Sequence, residues 1–230
     1  MSDSNSQRRL RDGFKGIGTR LKRRRTPADS VAFALSAILS PYLVIPIGTL
    51  GIIYARSPNE FWLWAAISLF FSTFCPLLYI LVGMWRGTIS DVHVMEREQR
   101  GGPFIVAIAG GFLAAFLLYL LRAPTSVWGL SVILSVNGLV ILAITHFTKI
   151  SVHVSVLSAT VMGALILHPQ LPPWWFLWMI PLLIWARSRR GRHSIWQGVA
   201  GFVVASGVTI VTIAGLGLSS RFASLLQRLG

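Results

Sequence analysis

Charge is scarce in this 230-residue chain, and acidic charge scarcest of all. Asp, Glu, Lys and Arg make up 12% of the residues, about half of the roughly 25% in an ordinary globular domain. Seven carboxylates face 21 Lys and Arg, a formal balance of +14. One cysteine, Cys75, lies inside an apolar run, which excludes a disulfide framework and a Cys-based metal site. With 54% hydrophobic residues and a mean hydropathy of +0.67, the chain lacks the polar surface of a soluble domain, a disordered segment or the usual nucleic-acid-binding module. The missing charge belongs to lipid-facing segments.

Seven stretches carry no Asp, Glu, Lys or Arg: Val31 to Ala55, Phe61 to Trp85, Phe104 to Leu121, Ser126 to Phe147, Val152 to His168, Pro173 to Ala186 and Ile195 to Gly217. A helix rises 1.5 Å per residue and needs about 20 residues to cross roughly 30 Å of hydrocarbon. The first, second, fourth and seventh stretches meet that length, and the third and fifth are marginal. The sixth reaches only about 21 Å; it follows Pro172, contains Pro181, and holds four tryptophans suited to both interfaces of a thin crossing. Segment length and the lack of two-residue alternation exclude a barrel. The expected fold is therefore all-α: a multipass transmembrane bundle of about six or seven helices over residues 31–217. A basic tail (1–30) precedes it and a short amphipathic tail (218–230) follows. The first apolar run far exceeds the roughly 7 to 15 residues of a signal-peptide core, so the first helix is expected to be retained.

Seven crossings sort the loops into two sets, and 17 of the 21 Lys and Arg fall on the side of the N-terminal tail. That bias predicts a cytoplasmic N-terminus for an integral membrane protein. In the tail, Leu10, Phe14, Ile17 and Leu21 recur at helical spacing among basic residues, a pattern suited to anionic lipid headgroups. Membrane lipids are the expected partners; juxtamembrane cations are a common topological signal, and no nucleic acid is expected.

Most side chains able to do chemistry fall on that same side. Asp91, His93, Arg97, Glu98 and Arg100 follow the second apolar stretch. Lys149, Ser151 and His153 open the fifth, and Arg187, Arg189, Arg190, Arg192 and His193 precede the seventh. Packing can gather them into a cationic pocket at the lipid interface. Arginine presents planar, bidentate donors to phosphate oxygens, and several cations offset the charge of a phosphoryl-transfer transition state. Two imidazoles supply a nucleophile and a general acid near neutral pH. No carboxylate pair suits magnesium, so no metal or cofactor is expected.

These residues resemble a divergent type 2 phosphatidic acid phosphatase (PAP2), a family with motifs K-x6-R-P, P-S-G-H and S-R-x5-H-x3-D. Arg187 to His193 keeps the Arg-x5-His spacing of the third motif, and Ser151-Val152-His153 keeps Ser-x-His of the second. Arg100 stands for the first, with the proline displaced to Pro103 and His93 where lysine is usual. The motif region covers residues 91–201.

The resemblance implies a membrane lipid phosphatase acting on a lipid phosphate or isoprenoid diphosphate through a phosphohistidine. His193 would be the nucleophile and His153 the general acid, while Arg100, Arg187 and Ser151 would hold phosphate beside Arg97 and Lys149. Gln197 stands where the family has the aspartate that orients the nucleophilic histidine, and an amide cannot stabilise an imidazolium by charge. The alternative implied by that change is a weakened relative that binds or transports a lipid phosphate. A structural subunit, with the arginines serving only as a positive-inside loop, is the third reading.

Overall fold

The computed structural model describes residues 26–90, 99, 101–168, 170 and 173–229. The basic tail lies outside these, as do Asp91, His93, Arg97, Glu98 and Arg100. The described residues form helices and no strand. The helices are α1 (Pro27–Ile38), α2 (Pro41–Arg56), α3 (Phe61–Leu69), a π-helical turn (Phe70–Phe74), α4 (Cys75–Trp85), α5 (Gly101–Leu120), α6 (Thr125–Phe147), α7 (Val152–Leu167), α8 (Pro173–Leu177), α9 (Met179–Arg189), α10 (Ile195–Gly215) and α11 (Ser219–Leu229).

Four helical stretches are long and apolar enough to cross a membrane: Phe61–Trp85, Gly101–Leu120, Thr125–Phe147 and Ile195–Gly215. A fifth is α1 and α2 taken together, bent by 52°. The bend falls where the sequence suggested one straight helix. Pro41 lacks an N–H and its ring disfavours helical backbone at the residue before it. Ser40 accordingly takes the extended values φ −76° and ψ 153°, and a new helix starts at Pro41.

The fifth and sixth expected crossings differ from the rest. Helix α7 has 16 residues, about 24 Å, and 11 of them are buried, which makes it the central helix. It packs against α2, α6, α9 and α10. The Trp-rich stretch is two short helices, α8 and α9, separated at Trp178. Pro181 falls in the first turn of α9, where a missing N–H leaves no helical bond unmade.

Between lipid-facing helices the hydrophobic effect adds little, so close packing and buried hydrogen bonds hold the bundle. Gly48 of α2 meets Thr160 of α7 so closely that a Cβ would collide with it. Asn137 of α6 donates to its own helix at Ile133 O (2.9 Å) and across to Thr209 Oγ1 of α10 (3.1 Å). Fully buried Ile133, Leu157, Leu165, Leu183 and Ile213 fill the interior. Trp62, Trp85, Phe147 and Trp196 stand at helix ends with 80% or more of their surface exposed, the placement of aromatic belts. At the end of the bundle opposite Ser151, Arg228 of α11 donates to Leu165 O (2.9 Å) and Arg221 to Ser126 Oγ (3.1 Å). The C-terminal helix is thereby tied to that end of the bundle.

Candidate functional site

Arg187 and His193 are brought together by one turn. Helix α9 ends at Arg189 with Arg190 as its cap, and the amides of Gly191 and Arg192 donate back to Ser188 O (2.9 Å) and Arg187 O (3.1 Å). This is the Schellman arrangement, which needs a left-handed residue after the cap; Gly191, at φ 63°, supplies it. The chain reverses within a few residues, so the last turn of α9 and the start of α10 open on the same space. The Arg-x5-His spacing is the length of this turn.

Helix α10 then starts with a capping box. Gln197 N donates to Ser194 Oγ (3.2 Å), and Ser194 N donates to Gln197 Oε1 (3.1 Å). The same Oε1 lies 3.1 Å from His193 Nδ1. A backbone amide can only donate, so the oxygen of Gln197 is the atom at this corner. His193 Nδ1 must then carry the proton, and the neutral ring keeps its lone pair on Nε2. Gln197 thus does by hydrogen bonding what a carboxylate does for orientation, without the charge.

The start of α7 docks on the start of α10. Ser151 N donates to Gln197 O (3.2 Å). A Cβ on Gly201 would lie 2.8 Å from Ser155 Oγ and 3.1 Å from Ser151 O, so glycine allows α7 and α10 to touch at their N-terminal ends. His153 and His193 both line one cavity of about 500 Å³, together with Arg187, Arg190 and Arg192. No Asp or Glu lines it among the described residues. Its other walls come from α1, α2, the π-helical turn, α4, α5 and α6, and are largely apolar.

Helix α1 covers this cavity from the side and is held by the arginines of α9. Arg187 Nη1 donates to Ser36 Oγ (3.1 Å), and Arg190 lies 4.9 Å above the ring of Phe33. Arg189 turns away from the cavity and pairs with Asp29 (2.9 Å) and Thr26 Oγ1 (3.2 Å). Asp29 precedes the apolar run that begins at Val31. Its pKa is lowered to about 2 by the Thr26 backbone amide, then by the Arg189 guanidinium and the Thr26 hydroxyl.

Of the residues singled out from sequence, His153, His193 and Arg187 share the cavity. Lys149 is exposed in the link between α6 and α7 and is not among the lining residues. Ser151 is fully buried and also off the lining; its backbone joins α7 to α10. Gln197 stands behind His193 rather than in the cavity. Arg97 and Arg100 lie outside the described residues. Arg190 and Arg192, from the basic turn that the sequence marked as part of a cationic pocket, also line the cavity, as do Ser36 and Phe33. The signal for the arginines was their position inside the Arg-x5-His turn; nothing linear marked Ser36 or Phe33. No family model matches the chain, nor does any curated protein or solved structure. The likeness to PAP2 rests on these motif residues alone.

Proposed function

We propose that the chain is an integral membrane phosphatase that hydrolyses a lipid phosphate or isoprenoid diphosphate without metal, at the cytoplasmic face of a bacterial inner membrane. The observation that carries this reading is the shared cavity: two histidines and three arginines at one end of an apolar chamber, with the Nδ1 proton of His193 directed to Gln197. Cations bind the anionic head and the apolar walls accept the chain. His193 Nε2 attacks phosphorus and the bond to the leaving oxygen breaks. His153 gives that oxygen its proton. Water then attacks the phosphohistidine, returning a proton to His153 and releasing phosphate and free His193.

Purified protein in detergent is expected to release phosphate from such lipids in the presence of chelator. His193→Ala should abolish release, and His153→Ala should slow it by about 10²- to 10⁴-fold, the usual contribution of a positioned acid. Parent and His193→Ala with equal turnover would overturn the assignment.

One observation favours a second reading, in which the site binds or transports a lipid phosphate without cleaving it. Gln197 is neutral, and loss of the corresponding carboxylate in a serine-hydrolase triad costs about 10⁴ in turnover. Binding weakened by Arg187→Ala, with no phosphate release at any enzyme concentration, would select it.

A further inference from the structure

The arginines that face the cavity also hold its cover. Helix α1 packs chiefly on α9, and of its 12 residues only Ala32 and Ser36 are buried. Val31, Phe33 and Ile38 are each more than half exposed. One methyl group and one hydroxyl are little to hold a helix by packing, and between lipid-facing helices apolar burial adds little more. The docking of α1 therefore depends on the α9 side chains that reach it: Arg187 on Ser36 Oγ (3.1 Å), Arg190 on the Phe33 ring (4.9 Å) and Arg189 on Asp29 (2.9 Å). Arg187 and Arg190 line the cavity, as Phe33 and Ser36 do, whereas Asp29 and Arg189 are not among the lining residues.

The joint at the end of α1 lets it move as a unit. Leu39 and Ser40 are buried, which fixes the pivot in the bundle. Ser40 is extended, and Pro41 has no N–H with which to carry the helical ladder back into α1. A change of ψ at Ser40 swings α1 about the existing 52° bend and leaves the hydrogen bonds inside each helix intact, as hinges do.

An anion in the cavity contests two of the three ties. A phosphate oxygen accepts charge-assisted bonds from a guanidinium, roughly twice as strong as those between neutral groups and often bidentate. The attraction of an exposed cation to an aromatic ring is weak by comparison. Once Arg187 and Arg190 turn to phosphate, α1 keeps the solvent-exposed Asp29 pair, a contact of the kind that contributes little alone. We propose that α1 is an autoinhibitory latch: docked, it occupies arginines of the cavity, and a phosphate dianion in the cavity releases it by taking them. The latch rests on the reading of the cationic mouth as a phosphate site. Linkage is reciprocal, so docked α1 weakens anion binding by the same factor by which the anion weakens docking.

The test uses the full chain in detergent with Cys75→Ala. Spin labels at Val31→Cys on α1 and Val211→Cys on α10, both exposed positions, report the separation of the two helices. The probes are inorganic phosphate and hexadecylphosphonate. Saturating probe is expected to shift and broaden the distance distribution. Movement with both probes assigns release to the anion itself, and movement with hexadecylphosphonate alone assigns it to a lipid head; either supports the latch. A second protein carries Asp29→Cys and Arg189→Cys, joined by a short bismaleimide. Linking should lower phosphate affinity about fivefold or more relative to the same protein before linking. Phe33→Ala with Ser36→Ala should raise it by a similar factor, where a mere lining role would lower it. A distance that stays put or narrows on binding, equal affinities before and after linking, or weaker binding in the double variant would overturn the latch and leave the phosphate site standing. Binding of neither probe by any form would overturn both. A working latch without phosphate release from lipids would keep this inference and remove the hydrolase.

Discussion

Gln197 Oε1 accepts the Ser194 amide and lies 3.1 Å from His193 Nδ1, so one amide oxygen caps a helix and fixes an imidazole. The two roles separate by substitution. Gln197→Glu keeps the acceptor and the capping box, in which glutamate is at home, and adds a negative charge beside the ring. That charge favours the imidazolium, so His193 should need a higher pH to be neutral and able to attack. The acid limb of the kcat/KM profile should move up by about one pH unit, the size of effect a neighbouring charge produces, with faster turnover at neutral pH. Gln197→Leu should lose both roles, with turnover down about 10²-fold and stability down about 1 kcal/mol for the broken cap. A profile that does not move in Gln197→Glu would detach this residue from His193.

The helix ends and the fold class were legible in the sequence because charge-free runs bounded by Pro, Gly and Arg leave few other solutions. Phe61 to Trp85 and Ile195 to Gly217 recur in the structure as helices with nearly those limits. The Arg187-to-His193 pairing was legible too, since a turn of that length closes on itself at Gly191. What escaped was tertiary. The packing of α1 on α9 depends on Arg189 meeting a carboxylate 160 positions away, and no local pattern encodes that contact. Ser72, Thr73 and Ser135 lie within apolar runs, and only the packed bundle sets them around one cavity. The bend before Pro41 was written in the sequence, yet the continuity of the apolar run masked it.

Gly201 is where the two halves of the site touch. A methyl group there would lie 2.8 Å from Ser155 Oγ and 3.1 Å from Ser151 O, and the backbone oxygen cannot give way as a flexible side chain does. Gly201→Val should push α7 from α10 and break the Ser151 to Gln197 bond. Overpacking of this kind costs about 1–3 kcal/mol. Thermal unfolding should show that loss, and phosphate release should fall further than in a variant equally destabilised at the far end, such as Arg221→Ala.

Asp29, held first by the Thr26 backbone amide and then by Arg189, makes the start of α1 and its docking sensitive to acid. The folded carboxyl titrates at about 2 against 3.8 as its ordinary value. A depressed carboxylate stabilises the fold above its ordinary pKa and loses that contribution as protons bind, between about pH 4 and about pH 2. Asp29→Asn should therefore unfold at a lower temperature than the parent at pH 7, with the gap closing over that window. The pair is solvent-exposed and the gap should shrink with salt. A gap unchanged from pH 7 to pH 2 would show that α1 is held by its other contacts, from Ser36 and Phe33.

The expected orientation of the site rests on charge and its integrity on packing, so one experiment can separate them. The seven crossings expected from the sequence would put 17 of the 21 cations on the side of the N-terminal tail, and the positive-inside rule then predicts a cytoplasmic turn after α9. A reporter fused after Arg192 should then read as internal, and one inserted between Pro58 and Glu60, at the opposite ends of α2 and α3, as external. The reverse pattern would turn the molecule over in the bilayer and move the phosphate chemistry to the outer face. It would leave the chamber intact, because His153 and His193 sit at one end of the bundle whichever way that end faces. Two internal readings would be the more damaging result, since the peptide between α2 and α3 would then share a side with the site and the path of these helices through the membrane would have to be redrawn.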